Sequence, residues 1–369
     1  MINKVVFFLP HLAAGGSEIV VLRLLQCMDR TRFAPELILQ RQRGELLPSV
    51  PADVPVHILR RARPPGCIVA LSRTCRLLGA DLVVTVTNAA SLYALAANRL
   101  SSGRFATMVT EHTPPLAYLS EAKFAGPRRY AMTALFPNAD LTAGPLDEIG
   151  QDLKHILGRR APPFVALPNP VVDRVRVLRP VSDCATNVVS VGRLSPEKRF
   201  SVLIAAFAQV HARRPDARLT IYGEGSQRAE LEAQIASLGL SGSVSLPGFE
   251  PDMDVAHAQS DLFVCTSSRE GLGNAIIEAM ARGVPVLSVD CPFGPRHLLQ
   301  NGKAGELLER NDPASVARAV TRLLDDAERR ACYASAGLDA VAQYDVARAV
   351  SRYEHAFDTA VSAWRENTR

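Results

Sequence analysis

Lysine is scarce in this chain, with five residues against 37 arginines; tryptophan occurs once, and aromatic residues make up only 6%. So few aromatics leave little surface on which nucleobases could stack, and no nucleic-acid reading motif is present, so a nucleic-acid partner is not expected. No apolar run approaches the roughly 18 residues of a membrane span. The opening MINKVVFFLPHL has a short apolar stretch that ends at Pro10 and lacks a small-residue cleavage site, so it reads as a first strand and not a signal peptide. Cysteines stand at 27, 67, 75, 184, 265, 291 and 332, an odd number with no C-x-x-C spacing. That pattern fits neither a disulfide framework nor a zinc site. Scattered thiols behave as small core hydrophobes, and the cytoplasm is the expected compartment.

What is present is an ordinary globular composition of 369 residues, 47% hydrophobic and 21% charged. It excludes a disordered, collagen-like or coiled-coil chain and is long enough for two domains of roughly 100–200 residues each. Charge is divided unevenly: residues 1–180 hold 22 basic and 13 acidic side chains (+9), residues 181–369 hold 20 and 24 (−4). A basic half joined to an acidic half points to an anionic partner for one of them. A membrane surface or a phosphate-bearing substrate suits it better than nucleic acid.

Strand and helix signals alternate along the chain. Lys4–Leu9, Pro35–Leu39, Asp81–Val86 and Ala106–Thr110 read as strands, with helical spacing in Ser17–Met28 and Ala89–Leu100. The rhythm breaks at the proline-dense Pro162–Pro180, which marks a connection. It restarts with strands at Asn187–Val191, Arg218–Tyr222, Ser243–Leu246, Asp261–Cys265 and Pro285–Val289, and helices at Ser201–Arg213, Gln227–Gly239 and Ala275–Arg282. The expectation is two α/β/α Rossmann-like domains, residues 1–175 and 176–345, with ligands at the carboxyl ends of the strands in the cleft between the sheets. A long helix over residues 346–369 is expected to cross back toward the first domain. No short sequence repeat is visible.

The most informative segment is Ser267–Gly283, SSREGLGNAIIEAMARG. A strand ends near Cys265, the loop Glu270-Gly271-Leu272-Gly273-Asn274 follows, and a helix begins. Such a loop offers backbone N–H groups at a helix N-terminus, where the dipole favours an anion, and glycines let a ligand approach closely. Glu270 lies in the loop and Glu278 on the second helical turn, an E-x7-E spacing. Carboxylates are good acceptors for sugar hydroxyls, although two glutamates at this distance occur often by chance.

The surrounding residues carry the specificity. Val191-Gly192-Arg193-Leu194-Ser195-Pro196-Glu197-Lys198, Tyr222-Gly223-Glu224-Gly225, Leu246-Pro247-Gly248-Phe249, the E-x7-E pair and Ala279-Met280-Ala281-Arg282-Gly283-Val284-Pro285-Val286 occur in this order. Together they resemble the retaining glycosyltransferases of family 4, which have the GT-B architecture, over residues 187–325. Asp290-Cys291-Pro292-Phe293-Gly294-Pro295-Arg296 resembles a subgroup common in bacterial polysaccharide clusters. The first half resembles the family more weakly, through His11-Leu12 with Gly15-Gly16, the Glu111-His112 pair and Pro168-Asn169-Pro170.

The resemblance implies roles. Arg193 and Lys198 would hold the diphosphate of a nucleotide-sugar donor and stabilise its departure with no metal or other cofactor. Glu278 would accept the ribose hydroxyls, and Glu270 those of the transferred sugar. Gly248, Phe249, Gly271, Leu272, Gly273 and Asn274 would complete the donor site. Gly15 and Gly16 would face the diphosphate from the first domain, and His112 would reach the sugar. The loop AAGGSE lacks the G-x-G-x-x-G dinucleotide fingerprint, which weakens a dehydrogenase reading. No acid–base pair of hydrolase type stands out, as suits attack by the acceptor hydroxyl on the face from which the diphosphate leaves.

Two positions depart from the family pattern: His297 stands where an acidic residue is usual, and Gly144 where serine is common. The expected activity is transfer of a sugar, most often from UDP in this subgroup, to a lipid-diphosphate-linked saccharide or polysaccharide. A sugar-nucleotide epimerase and a non-catalytic sugar-nucleotide-binding subunit stay open. Arg60-Arg61-Arg63, Arg128-Arg129, Arg159-Arg160 and the mixed Lys123-Phe124-Ala125 are expected to bring the first domain to the anionic inner face of the cytoplasmic membrane.

Overall fold

The run expected at the N-terminus is strand β1 (Asn3–Leu9), whose last five side chains are buried. The computed structural model describes all residues except Met1, Ala14, Arg60, Arg61, Ala62, Pro64, Arg104, Ala122, Lys123, Arg179, Thr368 and Arg369, so Arg60, Arg61 and Lys123 lie outside the described residues. The chain divides into two units, one of Met1–Pro170 with Val346–Arg369 and one of Val171–Asp345.

In the first unit β1 is followed by β2 (Phe33–Leu39), β3 (Val56–Ile58), β4 (Leu82–Thr85), β5 (Ala106–Thr110), β6 (Leu141–Gly144) and β7 (Phe164–Ala166). They form one parallel sheet in the order β3-β2-β1-β4-β5-β6-β7. All residues of β4, β5 and β6 are buried, as continuous apolar runs are when helices cover both faces. The helices Gly16–Cys27, Gly66–Leu78, Asn88–Leu100 and Asp147–Leu157 supply the crossovers. The C-terminal helix Val346–Asn367 belongs to this unit. Its Phe357 ring meets Phe7 and Phe33 edge-on at centroid distances of 6.0 and 5.9 Å. Glu354 accepts the Asp29 amide at 2.7 Å, and Trp364 Nε1 donates to the Gly103 carbonyl at 2.7 Å.

The second unit holds β8 (Asn187–Val191), β9 (Arg218–Tyr222), β10 (Val244–Gly248), β11 (Leu262–Cys265), β12 (Val286–Val289) and β13 (Glu306–Leu308). These too are parallel, in the order β10-β9-β8-β11-β12-β13. Counted within each unit, the second sheet runs 3-2-1-4-5-6 and the first runs the same with a seventh strand added beyond the sixth, so a topological repeat exists where no sequence repeat was visible. Strand order reverses between β1 and β4, and between β8 and β11, and ligands of doubly wound sheets bind at the carboxyl ends beside that reversal. The fully buried Arg330 ties the second unit together, donating to the carbonyls of Leu323 and Leu324 at the end of the helix Pro313–Asp325 and to that of Ser182.

Pro162–Pro180 is not connection throughout. Phe164–Ala166 is edge strand β7, paired with β6, and the prolines 162 and 163 sit just before it, where an edge tolerates residues without an N–H.

Candidate functional site

In the second unit the chain leaves β8 as Gly192–Ser195, makes a 3-10 turn at Pro196–Lys198, and enters the helix Phe200–Arg213 through Arg199 at φ 51°. The turn after β9 lies directly on this segment: the Gly192 amide donates to Tyr222 O and the Leu194 amide to Glu224 O, both at 2.9 Å. A Cβ on Gly223, whose φ is +142°, would lie 1.9 Å from Gly192 O, and one on Gly225 would lie 2.3 Å from Leu194 O. The Gly-Glu-Gly triplet is therefore set by close approach of two loops.

The loop after β11 is bound to the same segment. Thr266 Oγ1 donates to Lys198 O at 3.1 Å, and the Ser268 amide donates to Glu197 O at 2.8 Å. This brings Lys198 Nζ within 2.6 Å of Glu270 Oε1. Ser267, 2% exposed, donates its hydroxyl to that same oxygen at 2.6 Å, with Cys265 Sγ at 3.8 Å. Burial is the largest single influence and would depress the Lys198 ammonium, but the groups around it, Glu270 foremost and Glu197 with it, together outweigh burial and hold Lys198 above the usual lysine range, so it stays charged. Burial first, then the Glu270 charge, pushes the Cys265 thiol up, away from the reactive thiolate. Sequence reasoning gave Lys198 and Glu270 separate roles and missed both their pairing and Ser267, which the spacing of residues alone does not reveal.

The remaining residues of the loop are half-buried or buried. Gly271 and Asn274 are half-buried, Leu272 is buried, and Gly273 has φ +98°. The following helix, Asn274–Met280, is only seven residues long, and its Ile276 and Ile277 amides already donate to Gly273 O. As an anion cradle it is thus shorter than the expected Ala275–Arg282. Glu278 is half-buried among the buried Ile276, Ile277, Ala279 and Met280. The Asp290–Arg296 segment packs on the loop: Phe293 bridges to Glu270, and a Cβ on Gly294 would lie 1.9 Å from Leu272 O. Arg296 pairs with Asp290 and His297 is exposed. Gly248, at φ +104°, accepts the Gly223 amide at 2.7 Å, and Phe249 beside it is half-buried. Arg193 is exposed and forms no ion pair with a described residue.

In the first unit Gly15 caps the helix Gly16–Cys27, its amide donating to Ala13 O at 2.8 Å, and the Ala13 amide lies 3.4 Å from His11 Nδ1. Glu111 and His112 follow β5. Glu111 is 3% exposed and accepts Asn88 Nδ2 at 3.1 Å, and burial pushes its carboxyl up to about 8. His112 Nε2 lies 3.4 Å from Thr110 Oγ1, whose own proton goes to Thr85 O, so Nε2 is the protonated ring nitrogen. Its Nδ1 is buried with no hydrogen-bond partner, and burial lowers the ring to about 4, leaving a neutral acceptor. Arg128 stacks at 4.9 Å on Tyr118 and donates to its hydroxyl, while Phe124 (69%) and Tyr130 (77%) are exposed nearby in sequence. Gly144 has no room for serine without adjustment, since a Cβ there would lie 2.8 Å from Glu111 O. Among the described residues no group of three or more His, Cys, Asp and Glu is arranged to hold a metal, and no helix is long and apolar enough to cross a membrane.

Comparison with known proteins matches both halves. Residues 183–338 fit the family described as glycosyl transferases group 1, and residues 14–174 fit glycosyltransferase family 4. An exopolysaccharide phosphotransferase of Streptomyces coelicolor is 28% identical over 80% of this chain, which spans 30% of that protein's length. The N-acetylgalactosamine-N,N'-diacetylbacillosaminyl-diphospho-undecaprenol 4-alpha-N-acetylgalactosaminyltransferase of Campylobacter jejuni is 26% identical over 90% of this chain and 93% of its own. Among solved structures, Anabaena HepE in complex with UDP and glucose superposes with a TM-score of 0.80 at 22% identity, covering 97% of this chain and 100% of that one. With two parallel-sheet units and a family match on each, the protein belongs to the family 4 (group 1) glycosyltransferases of GT-B fold.

Proposed function

We propose that the protein transfers a sugar, with retention of anomeric configuration, from a UDP-sugar to a lipid-linked or polysaccharide acceptor in bacterial cell-surface glycan synthesis. The carrying observation is the convergence of Lys198 and Glu270 at 2.6 Å at the carboxyl end of the second sheet, beside its order reversal. Relatives named for exopolysaccharide and undecaprenol-linked substrates, and a fold neighbour bound to UDP and glucose, support the choice of donor and acceptor class. In this reading Lys198 and the exposed Arg193 hold the diphosphate, Glu278 the ribose and Glu270 the transferred sugar. The bond between the anomeric carbon and the diphosphate oxygen breaks as the acceptor oxygen bonds on the same face. The acceptor proton passes to the leaving phosphate, and the fixed cations stabilise its charge, so transfer should persist in EDTA. The neutral His112, with a vacant Nδ1 acceptor, is suited to take a hydrogen bond from a hydroxyl.

A thermal-shift screen with UDP, GDP and ADP and their sugar conjugates tests the donor assignment. A ligand at about 100 times its Kd adds roughly 2.7 kcal/mol and moves the melting point by several degrees. UDP and at least one UDP-sugar should shift the wild type and not Glu278→Ala; no shift with any nucleotide would remove the reading. The exposed Phe124 and Tyr130, beside Arg128 and Arg129, support peripheral binding to an anionic membrane. Sedimentation with phosphatidylglycerol vesicles should carry the protein down at low salt and release it at high salt.

A further inference from the structure

We infer that Ser267 is a positioning residue for the sugar-binding carboxylate: its hydroxyl locks Glu270 with Oε1 on Lys198 and leaves Oε2 turned to the transferred sugar. The inference rests on the donor-site reading above and deepens it. All three donors reach one oxygen. Lys198 Nζ and the Ser267 hydroxyl each lie 2.6 Å from Glu270 Oε1, with Cys265 Sγ at 3.8 Å. No described residue donates to Oε2.

An ammonium alone holds this asymmetry only loosely. Its three N–H donors rotate on a flexible stem, so either oxygen of a carboxylate can face it. The terminal torsion of glutamate is broad and roughly two-fold, so a carboxylate held only by Lys198 is free to turn either oxygen toward the charge. A hydroxyl supplies the missing direction, provided that it is itself fixed. Ser267 is 2% exposed, and Cys265 Sγ lies 3.4 Å from its oxygen. Its neighbours are pinned as well, Thr266 to the Lys198 carbonyl and the Ser268 amide to the Glu197 carbonyl.

The arrangement also removes a conflict between the two roles. Lys198 has three N–H donors, of which Glu270 takes one, so two remain for a diphosphate. Donor binding therefore need not part a half-buried ion pair, a step that leaves an uncompensated charge. Diphosphate and sugar are read by one preassembled unit, and Ser267 sets which edge of the carboxylate the sugar meets. The substrate class it recognises is a nucleoside diphosphate carrying a sugar with free hydroxyls.

The test is calorimetric titration of the full chain with UDP and with UDP-glucose, UDP-galactose and UDP-N-acetylglucosamine, for wild type, Ser267→Ala and Ser267→Thr, with melting curves for each. Ser267→Ala should fold, keep its UDP affinity within about twofold, and raise the ratio of UDP-sugar Kd to UDP Kd by about tenfold or more, the effect of one hydrogen bond to a charged group. Ser267→Thr, which restores the hydroxyl, should return the ratio toward wild type. An unchanged ratio in Ser267→Ala, or equal losses for UDP and UDP-sugar, overturns the positioning role while the donor site stands. Failure of the wild type to bind any of the four ligands overturns both.

Discussion

The Lys198–Glu270 pair invites a double-substitution cycle. Removing one member of a fully buried ion pair costs about 3–5 kcal/mol, because the other charge is stranded. Here the side chains keep 22% and 12% of their exposure, and Ser267 goes on donating to Oε1 when Lys198 is gone. Water reaches both ends, so a fraction of that cost is expected, about 1–2 kcal/mol for Lys198→Met and a similar loss for Glu270→Leu. In a unit of this size each kcal/mol moves the melting point by about 2–4 °C, so each single variant should melt about 2–8 °C lower. The double variant strands no charge, and replacing both partners by apolar groups is often close to neutral. It should therefore be no less stable than the worse single variant, with a coupling of about 1 kcal/mol or more. Urea titrations followed by tryptophan-independent far-UV circular dichroism give the four free energies. If the two single losses add to within about 0.3 kcal/mol, the pair contributes nothing as a pair and the reasoning fails.

A pH dependence follows from His257, which is fully buried, lies 5.7 Å from the Phe263 ring, and has an unpartnered Nε2. Burial first, and the Arg282 cation second, lower its pKa from 6.5 to about 3. The unfolded chain takes up this proton as pH falls through 6.5 and the folded chain does not until about 3, so stability is lost with falling pH across that window. At ~1.4 kcal/mol per unit, the wild type should lose about 2–3 kcal/mol more than His257→Leu between pH 7 and 4.5, and parallel curves for the two proteins would contradict the assignment. Gly294→Ala places a Cβ 1.9 Å from Leu272 O, so it should push away the loop that carries Glu270. We expect a loss of about 2 kcal/mol or more with donor affinity down at least tenfold; wild-type binding by this variant would show that the two loops are not coupled.

Much of this was legible beforehand, for reasons that differ by element. Strands such as β5 and β11 declare themselves because a doubly covered parallel strand is a continuous apolar run. β7 was lost among prolines, since at a sheet edge the neighbours impose no such demand and only pairing with β6 reveals it. The two glutamates and Gly273 were visible as a motif, and the short helix between them was overextended because Ala281 and Arg282 are good helix formers that the turn at Gly283 nonetheless excludes. His112 was singled out from its place after a strand, but its tautomer and empty Nδ1 follow only from Thr110 and Thr85.

By itself the sequence determined the alternation of strands and helices, the absence of a membrane-spanning run, and the order of glycines and charged residues that marks the family. These are properties of local composition and spacing, and each is expressed within a few residues. The return of the last helix to the first domain was expected, but tertiary structure alone decided which contacts seat Val346–Asn367 there, Phe357 on Phe7 and Phe33 and Glu354 on the Asp29 amide, and that Lys198 and Ser267 share one oxygen of Glu270. Lys198 and Glu270 lie 72 positions apart. Their contact exists because β8 and β11 are neighbours at the reversal of strand order, and adjacency in a sheet is a long-range choice made by burial of the whole core and not by any one segment.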